Sequence, residues 1–220
     1  MTFEGGVIMY DFQYVPKDEY KPIMDKVKEL ILEVQDEVRD YFTFRFDFIG
    51  STRRKMITRD MNGNIGYDFD VNIEVNDDDE NYTATEIRRI LINAITRIYH
   101  KYGFNKWEDS TRVITIKRVN HFRSSIEYSC DFAIVYNNQY IRLNKKTQEY
   151  FWAYQAKGYE HLEERAEMLK RDKNKKYWNE VRDTYIYKKN NNNDPDKHSR
   201  SLYAETINEV YRWYLNDKKQ

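Results

Sequence analysis

Two aspartates one residue apart, Asp68 and Asp70 in the segment YDFDVNIEV, are the residues of this sequence best placed to do chemistry. Phe69, Val71, Ile73 and Val75 form the apolar set of that run. The alternation of a strand therefore puts Asp68, Asp70, Asn72 and Glu74 together on the opposite face. Carboxylates side by side repel each other, and a divalent cation relieves that repulsion. Ahead of them, FRFDFI alternates Phe44, Phe46 and Phe48 with Arg45 and Asp47, which reads as another half-buried strand. It stops at Gly50-Ser51, and Arg53, Arg54 and Lys55 follow in a basic polar loop. A Gly-Ser turn after a strand offers backbone N–H groups and a hydroxyl to phosphates, and the glycine lets the backbone come close. Later, SIEYSCDFAIVY alternates again, with Ile126, Tyr128, Cys130, Phe132 and Ile134 on one face and Glu127, Ser129, Asp131, Ala133 and Val135 on the other. Asp131 is thus an isolated acid on the polar face of a strand otherwise fit for burial.

Two acids on one strand and a third on a neighbour suit a pair of Mg²⁺ (or Mn²⁺) ions. Such ions lower the pKa of an attacking hydroxyl, orient a triphosphate and neutralise the leaving pyrophosphate. Positioning and charge stabilisation supply most of the catalysis in nucleotidyl transfer, so no protein nucleophile is needed.

The flanking elements follow from periodicity. Ile23, Val27, Leu30, Ile31, Val34, Val38 and Tyr41 repeat at helical spacing from Tyr20 to Phe42, with Lys17-Asp18 and the later Pro22 suiting a helix start. NDDDEN (76–81) reads as an acidic, solvated turn containing Asp77, Asp78 and Asp79. Thr83 or Thr85 caps a helix that carries Ile87, Ile90, Leu91, Ala94, Ile95 and Ile98 inward to about Tyr102, and Gly103 supplies its left-handed stop. RVITIKRV (112–119) is a strand, and a short strand near 139–143 pairs with the Asp131 strand across Asn137-Asn138. Strand signals fade from Lys145. Helix formers follow, then the Asn190–Asn193 and Asp194-Pro195 break, then a last helix capped by Ser199 or Ser201. The expected fold class is α/β (α+β), a mixed sheet flanked by helices. Residues 1–144 would form a core with an N-terminal helix, and 145–220 a short helical region packing on it.

Composition limits the partners. The 37 basic and 37 acidic residues cancel, so recognition of nucleic acid or an anionic membrane would have to come from local patches. No apolar run approaches a membrane span, and MTFEGGVIMY lacks the form of a signal peptide. The single cysteine, Cys130, cannot form an internal disulfide, points to a reducing cytoplasmic setting, and reads as a buried filler. None of the 4 histidines has metal-ligand spacing with cysteine, so no zinc site is expected. Two basic groups have two readings each. Arg53, Arg54 and Lys55 either grip a triphosphate or acceptor or solvate a loop. Lys117, Arg118, His121 and Arg123 either face an RNA or nucleotide acceptor or dress a strand end.

The ordered set of helix, strand, IGS (Ile49, Gly50, Ser51), DFDV (Asp68 to Val71), helix and CDFAIV (Cys130 to Val135) resembles the nucleotidyltransferase superfamily typified by DNA polymerase beta. The long stretch between Ser51 and Asp68 is closer to the branch of oligoadenylate synthases, cyclic GMP-AMP synthase and their bacterial relatives. The resemblance covers about residues 20 to 136. It implies an enzyme that moves an NMP from an NTP to a hydroxyl acceptor, with Mg²⁺ as cofactor and pyrophosphate released, in nucleotide signalling or defence. Asp68, Asp70 and Asp131 would be its metal-binding and catalytic acids, and Gly50 and Ser51 its phosphate contacts. EMLKRDKNKKYW (167–178) and SRSLYAE (199–205) loosely resemble later elements of that branch, which would bring Lys170 to phosphate and Ser201 or Tyr203 to the nucleotide. The alternatives are an inactive NTP- or RNA-binding module and a toxin that nucleotidylates tRNA or protein.

Overall fold

The computed structural model describes residues 10–77, 80–155 and 158–219. In chain order the elements are β1 (Phe12–Tyr14), α1 (Lys17–Val38), β2 (Thr43–Ile49), α2 (Gly50–Arg54), β3 (Thr58–Asp60), β4 (Ile65–Asn76) and α3 (Ala84–Ile98). A 3₁₀ turn over Tyr99–Tyr102 leads to β5 (Lys106–Asp109), β6 (Val113–Asn120), β7 (Ser125–Tyr136), β8 (Gln139–Asn144) and β9 (Glu149–Tyr154). The chain closes with α4 (Leu162–Lys170), α5 (Lys176–Asn190) and α6 (Ser199–Asp217). Two compact units result. The larger holds Tyr14–Arg59 and Asn64–Gln155; the smaller holds the described parts of 10–13, 60–63 and the C-terminal helices.

The larger unit is built on a mixed, seven-stranded sheet ordered β2-β4-β7-β6-β5, with β8 pairing β7 and β9 pairing β8. β4 and β7 run parallel, while β2 and β6 flank them antiparallel. One face of the sheet is apolar: Phe69, Val71, Ile73, Cys130, Phe132, Ile134, Ile114 and Ile116 are all at most 1% exposed. Val27, Leu30, Ile31, Val34 and Val38 of α1 and Ile87, Leu91, Ala94, Ile95 and Ile98 of α3 join the same core. Burial of these two helical stripes leaves the polar alternates of β4 and β7 on the other face. Helix α3 begins with a reciprocal cap, in which Glu86 N donates to Thr83 Oγ1 (3.3 Å) and Thr83 N donates to Glu86 Oε2 (2.8 Å). Gly103 closes the helical stretch at φ +88. Asn137 and Asn138, both at positive φ, make the β7–β8 hairpin turn.

Four local features depart from the sequence reading. Helix α1 begins at Lys17, as Lys17-Asp18 suggest, but Pro22 lies inside it and not in its first turn, which the acidic Asp18 and Glu19 occupy. The basic stretch after Gly50 is not a loop but the short helix α2. Lys55 stops it at φ +57, and the buried Met56 and Ile57 hold its end in the core. Strand pairing continues past Lys145 into β9, whose EYFWAY sequence carries aromatics on both faces and so hides its alternation. Neither Ser199 nor Ser201 caps α6. His198 occupies the cap position, without a side-chain bond. In the acidic turn, Asp77 accepts from the backbone N–H groups of Asn81 (3.1 Å) and Tyr82 (3.0 Å), whereas Asp78 and Asp79 lie outside the described residues.

In the smaller unit Leu162, Ala166 and Leu169 of α4, Tyr177, Val181 and Tyr185 of α5, and Leu202, Ala204, Ile207 and Val210 of α6 are buried. The Asn190 side chain brackets Phe12, accepting from its N–H (2.6 Å) and donating to its carbonyl (3.2 Å). That exchange copies a strand's backbone bonding with a side chain.

Candidate active site

The two central strands bring the acids together. In the parallel β4–β7 pair Asp70 stands opposite Asp131, and Asp68 stands opposite Ser129 on the same polar face. Three acids therefore occupy adjoining positions, and the potential they create is visible in their protonation. Burial pushes the Asp70 carboxyl up to about 7, and the negative charges of Asp68 and Asp131 push the same way. The positive charge of Arg54 works against them. Burial also raises Asp131, opposed by its hydrogen bond from Thr115 and by the charge of Lys117, while Asp68 and Glu108 raise it further.

Gly50 has a steric role here that no phosphate argument reveals. Its φ is +58, and a Cβ added to it would come within 2.4 Å of Asp70 Oδ2. The missing side chain gives the Asp70 carboxylate its place beside the end of β2. Helix α2 then carries Ser51, Arg53 and Arg54 away from that point. Arg53 and Lys55 are exposed, and Arg54 is half-buried.

The donor chemistry fits a hard divalent cation: three carboxylates, all oxygen, with like charges that a cation would offset. As they stand, these side chains do not close into a cage. Among the described residues, no group of three or more His, Cys, Asp or Glu stands as one that could hold a metal ion by itself. Mg²⁺ does not require one, because it keeps several waters and binds through one or two carboxylates plus substrate phosphates.

The other sequence candidates divide. Lys117 pairs with Glu108 (2.6 Å) and Arg118 with Glu127 (3.6 Å), so half of the basic cluster around β6 is neutralised by neighbours. Lys170, Ser201 and Tyr203 belong to the smaller unit. Lys170 bonds Glu167 (2.8 Å) and lies 4.8 Å from the ring centre of Trp178. The Ser201 hydroxyl lies 3.0 Å from that of Tyr159. Tyr203, at 1% exposed and edge-on to Tyr185, is a core residue of its unit. Cys130 is free and fully buried, with its thiol pushed well above the usual range by burial. Sequence reasoning missed Thr115 and Glu108. Their cross-strand alignment with Asp131 appears only once β5, β6 and β7 are in register.

No family model matches the chain, and no curated protein matches it in sequence. Its fold does match solved bacterial CD-NTases. A STING-associated CdnE c-di-GMP synthase from Capnocytophaga granulosa aligns at TM-score 0.58 and 12% identity over 92% of this chain. DncV from Escherichia coli, in a 3'-deoxy GTP bound form, aligns at TM-score 0.53 and 16% identity over 90%. The cyclic AMP-GMP synthase DncV from Vibrio cholerae, in complex with the linear intermediate 5' pppA(3',5')pG, aligns at TM-score 0.52 and 15% identity over 90%. The chain spans 63%, 54% and 54% of those proteins' lengths. The fold is thus a nucleotidyltransferase-type mixed sheet flanked by helices, like that of these solved proteins. No helix among the described residues is long and apolar enough to cross a membrane.

Proposed function

We propose that this chain is a divalent-metal-dependent nucleotidyltransferase that moves an NMP from an NTP to a hydroxyl acceptor, in the cytoplasm, in nucleotide signalling or defence. The observation that carries this reading is the juxtaposition of Asp70 and Asp131 on parallel neighbouring strands, with Asp68 on the same face. A protein that gathers like charges at partly buried positions, at a cost to its own stability, holds them for a cationic ligand. Asp68, Asp70 and Asp131 would hold Mg²⁺ or Mn²⁺, which when bound supplies charge neutralisation for the triphosphate and the leaving pyrophosphate.

The chain's own residues carry the rest. Gly50 and Ser51 receive the β and γ phosphates, with Arg54 of α2, whose charge acts on Asp70, as a helping cation. Asp131 takes the proton of the acceptor hydroxyl. The acceptor oxygen forms its bond to the α-phosphorus as the bond to the β-phosphate oxygen breaks, and pyrophosphate leaves.

The test is to incubate the full chain with each NTP labelled at the α-phosphate, with Mg²⁺ and cell extract, and to identify what acquires label. Label in a dinucleotide, an RNA or a protein supports the reading and names the acceptor. NTP binding with no label transfer and no pyrophosphate would convert the chain into an inactive binding module.

A further inference from the structure

The third acid is held by a neighbour. The hydroxyl of Thr115 donates to Asp131 Oδ1 over 2.6 Å, and the two residues are direct cross-strand partners in the antiparallel β6–β7 pair. Thr115 is only 8% exposed, so little water reaches its hydroxyl to compete for that bond. The register extends the row in both directions, with Asp70 opposite Asp131 and Glu108 opposite Thr115. Beside it runs a second row of Asp68, Ser129, Lys117 and Lys106. Glu108 would add a further negative charge to this face, but it is paired with Lys117 (2.6 Å) and Lys106 (3.0 Å). The row thus passes from acids that accumulate charge to a flank that is neutral and bonded.

We infer that Thr115 is a positioning residue for Asp131: it fixes one carboxylate oxygen and leaves the other to face the cation and the acceptor hydroxyl. The inference rests on the nucleotidyl-transfer reading above. A carboxylate has two torsions to settle, and an acid that must meet both a cation and a hydroxyl loses most of its value when it swings. The ordinary preference of threonine for strands accounts for its presence on β6, but not for a buried hydroxyl spent on a neighbouring acid.

The experiment uses the full chain and two substitutions, Thr115→Val, which keeps the β-branched shape without the donor, and Thr115→Ser, which keeps the donor. Mn²⁺ binding is followed by the loss of its free electron-resonance signal in the presence of a non-hydrolysable NTP analogue. Thr115→Val is expected to weaken Mn²⁺ about 10- to 100-fold, the usual effect of losing a partner that orients a metal ligand. Analogue affinity measured without divalent metal and the melting temperature should stay near wild type. Thr115→Ser should recover binding to within about threefold. In an Asp131→Asn background, Thr115→Val should cost nothing further, because its effect passes through that carboxylate. Should Thr115→Val fail to fold, Thr115→Ala is read for the same loss. Wild-type Mn²⁺ binding by the donor-less variant, or a Thr115→Ser as weak as Thr115→Val, overturns the inference while leaving the transfer activity standing. A wild-type chain that neither binds Mn²⁺ nor releases pyrophosphate removes the functional reading and this inference with it.

Discussion

Two charged regions of the larger unit are built on opposite principles. Around Arg88, every charge is answered. Its side chain is 0% exposed, yet the guanidinium pairs with Asp109, donates to the carbonyls of Ser110 (2.9 Å), Arg112 (3.3 Å) and Val113 (3.1 Å), and lies 4.5 Å from the ring centre of Tyr150. Tyr150 in turn donates to the other Asp109 oxygen (2.5 Å). Across the sheet, Asp68, Asp70 and Asp131 face one another with like charge, and Asp70 is driven up to about 7. A structural charge recruits opposite charge from the same chain, whereas at Asp70 burial and the like charges of Asp68 and Asp131 add up. The first region fastens α3 to the β5–β6 turn and to β9. The second is the place to look for chemistry.

The contrast is broken first by removing the acids. Asp68→Ala combined with Asp70→Ala should lower NTP turnover by about 1,000-fold or more, equivalent to about 4 kcal/mol of barrier. Circular dichroism should show a fold unchanged and a melting temperature no lower than wild type. A variant that unfolds would make these acids structural and erase the distinction. The mirror experiment is Arg88→Met. It takes the guanidinium's charge and hydrogen bonds from Asp109 and three carbonyls and should destabilise the protein by about 3–5 kcal/mol in a denaturant titration. Activity per folded molecule should persist.

A subtler comparison uses pH. The folded-state pKa of Asp70 lies above its usual value, so its ionised form opposes folding. Its stability contribution is greatest below 3.8 and is lost as pH rises toward about 7. In chelator, Asp70→Asn should therefore be more stable than wild type at pH 8, and the gap should close as pH falls to about 4. Added Mg²⁺ should narrow the gap at pH 8 by stabilising wild type alone. The smallest effect belongs to the exposed Arg45–Glu74 pair on β2 and β4 (2.7 Å). Arg45→Ala should leave the melting temperature within measurement error, because exposed ion pairs contribute little.

Much of this molecule was legible as sequence because the signals were local. The alternation of Ser125–Tyr136 marks β7, the threonines at 83 and 85 mark a helix cap that falls on Thr83, and Asn137-Asn138 marks a hairpin. What escaped was non-local or atypical. EYFWAY has no polar face to betray β9, and the basic residues after Gly50 look like a loop until buried Met56 and Ile57 end a helix there. Arg88 sits on an otherwise apolar stripe, and its burial depends on Asp109 and Tyr150, which are distant in the chain. The same holds at the site. Spacing placed Asp68 and Asp70 on one face of a strand, but only the parallel pairing of β4 with β7 sets Asp131 opposite Asp70. Only the clearance at Gly50 shows that its small size serves the acid as well as any phosphate.

The most direct test of the account is pyrophosphate release by the full chain, measured with each NTP, Mg²⁺ and extract, against the same mixture in chelator and against Asp68→Ala/Asp70→Ala. The account predicts pyrophosphate in step with transfer of the α-phosphate label from at least one NTP, abolished both by chelation and by the double substitution. Pyrophosphate that persists in the double variant, or none from the wild type with any NTP, would contradict it.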